Sequence, residues 1–254
     1  MRRNLKTILR WTWILAGFAL TAWMIAGFQA SGVPDESTKG DGRVAVTAAS
    51  DGIEFRIRAN PRSSGLIFLP GGMVDPTAYA PLMKRIAAAG HPVHLLYLPW
   101  RCACTESQVG DLFRNIQSVM AAEPATNWAL AGHSRGGMLA SRFEHQNGGR
   151  LAGLVLIGTT HPRDFSLAGR SIPVVKIYGT NDGIASYSGM RRNQHLLPAN
   201  TGWIGIEGGN HVQFGYYRHQ LGDGAASISR EDQQLAVERA LLRVLAGTGG
   251  DPGH

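Results

Sequence analysis

The chain has 254 residues, 44% of them hydrophobic, enough to bury one sizeable core, and α/β chains of this length are commonly single domains. Its formal charge is +7, but Arg2, Arg3, Lys6 and Arg10 lie in a terminal segment without acids, and the remaining chain carries only +3. So small a charge, spread over roughly two hundred positions without a basic run, argues against nucleic acid as a partner.

Taken in order, residues 1–10 form a basic amino end expected to stay in the cytoplasm, followed by 11–30, which hold no charged residue. That is close to the ~20 residues an α-helix needs to cross a bilayer. Trp11, Trp13 and Trp23 suit interfacial positions. A cleaved signal peptide is the alternative, but its apolar stretch is shorter and ends in a small-x-small site, which Phe28 spoils in Phe28-Gln29-Ala30. An uncleaved signal anchor is favoured, placing the remaining chain outside the cytoplasm. Residues 31–42, SGVPDESTKGDG, have no apolar periodicity and are expected to be a flexible linker.

A folded domain is expected over 43–247, with a tail at 248–254. Val44 to Ala48 and Ile53 to Arg58 flank Ser50-Asp51-Gly52, and the second run alternates Ile53, Phe55 and Ile57 against Glu54, Arg56 and Arg58. This predicts a hairpin with one wet face. The runs that follow, 66–69, 93–98, 128–131, 154–157, 174–178 and 203–206, are apolar throughout and predict strands buried on both faces. Helical patterns lie between them. Tyr79, Leu82, Met83 and Ile86 share one face before Gly90. A last helix begins at Ser229 as N-cap and turns Val237, Leu241 and Val244 inward. Alternating strands and helices predict a mostly parallel sheet with helices on both faces and ligands beyond its carboxyl ends.

At one such end stands Leu130-Ala131-Gly132-His133-Ser134-Arg135-Gly136-Gly137, a G-x-S-x-G frame between a strand and a helix. On that sharp turn the serine Oγ is lifted clear, and Gly132 and Gly136 lack the Cβ atoms that would collide with it. A serine hydroxyl needs a base to take its proton and a carboxylate to orient the base. The strand 174–178 runs into Gly179-Thr180-Asn181-Asp182-Gly183. The strand 203–206 runs into Glu207-Gly208-Gly209-Asn210-His211. Asp164 could compete as the acid, but it lies seven residues past its strand, beyond Pro162, whereas Asp182 sits four past Tyr178 in a tight glycine-bounded turn.

Chain order Ser134, Asp182, His211 characterises α/β-hydrolases. From about Arg43 to Gly247 the sequence resembles that superfamily, with G-H-S-R-G-G as the nucleophile elbow. Gly208 to Gly215, with Gln220, Asp223 and Ser229-Arg230, resembles a small subfamily of such hydrolases. The resemblance implies an α/β-hydrolase fold and a cofactor-independent serine hydrolase that cleaves a carboxylic ester or related acyl bond. It also implies an oxyanion hole from the backbone N–H groups of Met73 and Arg135, with Gly71 and Gly72 admitting substrate. Thioesterase and acyltransferase chemistry use the same residues, and a catalytically silent binding module is the rival class.

Trp100 and Gln213 are pocket candidates, and Tyr216 and Tyr217 weaker ones. His94 and His145 are expected to be structural. The side chain of His133 need not face the reaction. Only 12 residues separate Gly158 from Ser171, too few for a folded lid. Cys102 and Cys104 are too few for a structural zinc site, so no metal is expected, and either free thiols or a local disulfide fits them. The expected partners are a small acyl substrate and the membrane.

Overall fold

The computed structural model describes residues 2–247; the expected tail at 248–254 lies outside them. Among the described residues one eight-stranded sheet runs in the order β1-β2-β4-β3-β5-β6-β7-β8. Its strands are β1 (Val44–Ala48), β2 (Gly52–Ile57), β3 (Ser64–Leu69), β4 (Val93–Leu96), β5 (Asn127–His133), β6 (Gly153–Ile157), β7 (Val174–Gly179) and β8 (Gly202–Ile206). The first two pair antiparallel, β2 joins β4 antiparallel, and every later pairing is parallel. This is an α/β-hydrolase fold.

Side-chain alternation divides the parallel strands between two cores. Leu66 and Phe68, Ala129 and Ala131, Val155 and Ile157, Val175 and Ile177 face one side. There α2 (Ala80–Ala88) brings Leu82, Met83 and Ile86, and α6 (Arg230–Leu245) brings Val237, Leu241 and Val244. Ile67 and Leu69, Leu130, Leu154 and Leu156 face the other side, against Leu112 and Ile116 of α3 (Glu106–Ala122) and Leu139 and Phe143 of α4 (Arg135–Asn147). With both faces covered, β6 is buried at all five positions. Thr105 starts α3 with a capping box, and the Ser229 hydroxyl accepts from Asp232 N to start α6. The short α5 (Tyr187–Arg192) follows β7. Residues 158–173, between β6 and β7, contain no helix, and no sizeable cap covers the sheet.

The amino end departs from expectation. The first helix, α1 (Arg2–Gly27), starts earlier and ends three residues sooner than the span 11–30. Within it Lys6–Gly27 is long and apolar enough to cross a membrane, and that window is not buried in the protein. The helix stops where the domain takes over its backbone. Phe28 packs on the core, Asp75 N donates to Phe28 O at 2.9 Å, and Ala30 bridges to Tyr217. Residues 31–42, expected to be a flexible linker, are laid along the domain. Ser37 is buried, and Lys84 Nζ donates to Glu36 O (2.6 Å) and Lys39 O (2.9 Å) and pairs with Asp41 (2.8 Å). One ammonium thus ties down a segment that has no apolar pattern of its own.

The Lys84→Ala variant is expected to release this segment, so that trypsin cuts after Lys39 at least about fivefold faster than in wild type, with the remaining domain intact by mass spectrometry. Unchanged cleavage would show that Lys84 does not hold it.

Candidate active site

Ser134 stands between β5 and α4 with φ 51° and ψ −113°, a backbone state that costs a non-glycine residue on the order of 1–3 kcal/mol. Neighbours enforce it. Ser134 N donates to Ile157 O at 2.8 Å, and Ser134 O accepts from Met138 N at 3.1 Å. A Cβ on Gly132 would lie 2.3 Å from Gly136 C, and one on Gly136 would lie 2.2 Å from Leu69 O. Glycine is therefore required at 132 because the start of α4 folds back over it, and at 136 because that residue packs on the end of β3.

His211 and Asp182 follow β8 and β7, adjacent parallel strands, and both side chains are fully buried. His211 Nδ1 lies 2.9 Å from Asp182 Oδ2. The other carboxylate oxygen accepts from Ile184 N (2.8 Å) and Ala185 N (2.7 Å). With its lone pairs so engaged, the carboxylate stays acceptor-only and Nδ1 carries the proton. The remaining ring nitrogen, Nε2, is buried without a hydrogen-bond partner among the described residues, Ser134 included. Asp164 is exposed, and no hydrogen bond joins it to His211 among the described residues.

Three side chains outside the expected set hold this pair. Asp223 Oδ1 accepts from His211 N (3.1 Å) and Gly183 N (3.2 Å), and Oδ2 accepts from Val212 N (2.9 Å), so one carboxylate joins the two site loops. Gln233, fully buried, clamps Asn210 by accepting from its N–H (3.0 Å) and donating to its carbonyl (2.7 Å). His133, fully buried, packs its ring 4.4 Å from that of His211. Its Nδ1 lies 2.8 Å from Tyr79 Oη, which accepts from Gly71 N at 3.0 Å. The phenol is left to donate to Nδ1, assigning His133 the Nε2-protonated tautomer. Burial first, then the nearby His211, hold His133 well below the usual imidazole range, and burial raises Tyr79.

The glycine turn after β3 is arranged otherwise than expected. Met73, at φ 63°, donates its N–H to Arg101 O at 2.6 Å, so this N–H is already engaged. Gly72 N–H has no partner among the described residues. The position of a Cβ on Gly72 lies 3.2 Å from Arg135 Cβ, beside the first residue of α4. Gly71 is hemmed in by His133 and Tyr79, each 3.0 Å from the position of its Cβ, and so serves that contact rather than a substrate path. The Arg135 side chain donates to Cys102 O (3.1 Å) and Ala103 O (2.7 Å) in the turn after β4, where Cys102 and Cys104 form a disulfide.

Ser134 lines a cavity of about 240 Å³ with Arg135, Met138, Thr160, His161 and Ala185. A larger one of about 510 Å³ holds Trp100, Tyr97, Asp75 and Arg101, but neither Ser134 nor His211, so size does not mark the site. Trp100 is 86% exposed and belongs to that second cavity. Gln213 turns away, donating to Ile228 O at 3.3 Å. Tyr217 is buried, and Tyr216 pairs with Glu231.

Behind the smaller cavity Lys176 of β7, also buried, donates to Thr159 O (2.6 Å) and His161 O (2.8 Å) and so holds the wall that carries Thr160. Burial, with the charge of Arg163 adding, pulls its ammonium down to about 7, and burial likewise brings His161 to about 4. Glu54 of β2 and His94 of β4 cluster with Glu123 at the end of α3, but Arg56 already bonds both carboxylates.

A model of the alpha/beta hydrolase family matches residues 65–235. Among solved structures, TT1662 from Thermus thermophilus is 14% identical with a TM-score of 0.60, covering 82% of this chain and 99% of that one. An alpha-beta serine hydrolase homologue from Coxiella burnetii is 12% identical with a TM-score of 0.56, covering 81% and 98%. The monoacylglycerol lipase of Paleococcus ferrophilus is 14% identical with a TM-score of 0.56, covering 80% and 99%. At these identities the likeness is one of fold. No curated protein matches the chain.

Lys176 generates a prediction whose sign is fixed. The unfolded chain keeps this proton up to about 10.5 while the folded protein releases it near 7, so between those values the unfolded state binds more protons and stability rises with pH. Melts of the full chain in detergent should move upward from pH 7 to 10, a free-energy slope of about 1.4 kcal/mol per pH unit from this group. Lys176→Met should flatten the rise. A wild-type melt that falls across that window would contradict a neutral, buried Lys176.

Proposed function

The chain belongs to the alpha/beta hydrolase family, and from that premise we propose that it is a serine hydrolase cleaving a carboxylic ester or related acyl bond through an acyl-enzyme. The observation that carries the reading is the buried His211–Asp182 bond of 2.9 Å, with Nε2 left unpartnered at the same carboxyl end of the sheet as a serine held on a strained turn. In this reading Ser134 Oγ attacks the acyl carbon while His211 Nε2 takes its proton. Asp182 keeps Nδ1 protonated and stabilises the imidazolium. His211 then returns the proton to the leaving group, and water, deprotonated by the same nitrogen, releases the acyl group.

The developing oxyanion needs two N–H donors. Arg135 N–H at the start of α4 is one. Gly72 N–H, unengaged and beside Arg135, is the better placed second donor. Met73 N–H could serve only by giving up Arg101 O.

We assign α1 as an uncleaved anchor, with Lys6 and Arg10 on its cytoplasmic side and the hydrolase domain outside. An oxidising compartment suits the Cys102–Cys104 disulfide. The four backbone hydrogen bonds and the Arg101–Gln29 bond that join residues 27–31 to the domain favour retention, since cleavage near Ala30 would remove part of this packing.

Ser134 is expected to be labelled by a fluorophosphonate probe and Ser134→Ala to lose the label; an unlabelled, folded wild type would refute the hydrolase reading. Asp182→Asn should keep its melt yet lower kcat by roughly 10³- to 10⁴-fold, because the amide favours the wrong imidazole tautomer. Asp164→Asn should stay within about twofold of wild type. Loss of activity in the Asp164 variant alone would reassign the acid.

A further inference from the structure

Outside α1, the exposed large hydrophobic side chains among the described residues are Met73, Trp100, Tyr187 and Leu221. Each follows a different strand: Met73 follows β3, Trp100 β4, Tyr187 β7 and Leu221 β8. These four strands run parallel to one another through the sheet, so all four residues lie at its carboxyl end, with Ser134, Asp182 and His211. Scattered apolar residues are ordinary on a protein surface, but these are confined to one rim, and Trp100 and Leu221 are 86% and 64% exposed.

The same rim is where α1 leaves the domain. Gly27 O accepts from Arg218 N at 3.0 Å, and Trp23 stacks on His219 at 4.0 Å, two residues before Leu221. Asp75 N donates to Phe28 O, and Arg101 Nη1 donates to Gln29 Oε1 at 3.2 Å. Those partners sit on the turns that carry Met73 and Trp100. A helix crossing a bilayer and fixed in this way, rather than hung on a tether, holds the rim within about one helical turn of the interface. Exposed tryptophan, and an exposed arginine such as Arg218, are side chains that settle among headgroups.

We propose that the carboxyl-end rim rests on the outer leaflet of the membrane that α1 spans, and that the site takes its substrate from that leaflet. The substrate class is then an ester-bearing amphiphile with a long acyl chain, rather than a freely dissolved ester. This rests on the anchored-hydrolase reading above and adds which face meets the lipid and what the site is offered there.

The test uses the full chain in phosphatidylcholine–phosphatidylglycerol vesicles. Its native cysteines are paired, so Leu221→Cys and Arg150→Cys each offer one thiol for a nitrobenzoxadiazole label; Arg150 is exposed at the opposite, amino end of the sheet, before β6. The label at 221 should emit at shorter wavelength than the label at 150 and be quenched by doxyl lipids, with the label at 150 unaffected. Equal spectra would overturn the proposal, as would a label at 221 shielded from aqueous iodide but untouched by doxyl lipid, which would indicate a protein partner instead. A long-chain monoacyl ester in the enzyme's own vesicles should be hydrolysed at least tenfold faster than the same ester in separate vesicles, and equal rates would refute the substrate class. Turnover of a soluble short-chain ester separates these failures from failure of the hydrolase reading. Loss of the chain from the vesicles in carbonate would remove the anchor, and with it the proposal.

Discussion

A carboxylate with no exposure to water is the constraint around which the carboxyl end of the sheet is built. Left unpaired, the buried charge of Asp182 would cost several kcal/mol. The chain meets that demand with three donors, the N–H groups of Ile184 and Ala185 and the Nδ1–H of His211. Two of them come from the turn that carries the acid. The third arrives from the next strand, which makes the β7–β8 pairing a requirement of the site as well as of the sheet. Asp223 repeats the solution one layer out, accepting from Gly183 N on the turn of Asp182 and from His211 N and Val212 N on the turn of His211. Its charge is shared among backbone donors, so the two turns are fixed relative to each other without any contact that competes for His211 Nε2.

What could be read from the sequence was what local pattern encodes. Apolar runs without alternation marked strands covered on both faces, except that 203–206 became β8 at the sheet's edge, where Gly205 is exposed and Trp203 and Ile204 are half-buried; Ile53, Phe55 and Ile57 marked the wet-faced hairpin. The glycines around Ser134 marked a turn whose atoms would otherwise overlap. The order of Ser134, Asp182 and His211 followed from where strands end. What escaped was carried by contacts between distant residues. Tyr79 meets His133 across 54 positions, and nothing near either residue announces it. Gln233 reaches Asn210 from the first turn of α6, where a glutamine reads as ordinary helix surface. Lys176 did leave a trace: a lysine inside Val-Val-Lys-Ile-Tyr, a run otherwise buried, had to find acceptors in the interior, and the carbonyls of Thr159 and His161 supply them.

The segment 31–42 shows how composition misleads about order. Its glycines, proline and charges describe a chain with no core of its own, and that description is correct. Order is imposed from outside by Lys84 on α2, which offers three donors to two carbonyls and a carboxylate. Low hydrophobicity therefore does not imply a tether when a neighbouring helix presents a cation to the segment's backbone. The same applies to the end of α1, where an apolar count of residues ran on to Ala30 but the helix ends at Gly27 because Phe28 has a core to enter.

The turn after β4 joins these two stories. Trp100, Arg101 and Ala103 all have positive φ without being glycine, a sequence of conformations that surrounding contacts must sustain. Those contacts are specific. The carbonyl of Arg101 accepts from Met73 N, those of Cys102 and Ala103 accept from the Arg135 side chain, and the Arg101 guanidinium reaches Gln29 and Asp75. One short turn therefore touches the glycine turn of β3, the residue after Ser134 and the chain just beyond α1. A free N–H at Met73 would require moving Arg101 O, and moving that carbonyl would disturb both the Arg135 contacts and the bonds to the chain just beyond α1. Under the proposed hydrolase reading, the N–H groups of Gly72 and Arg135 need no such rearrangement, which is the physical reason for preferring this pair.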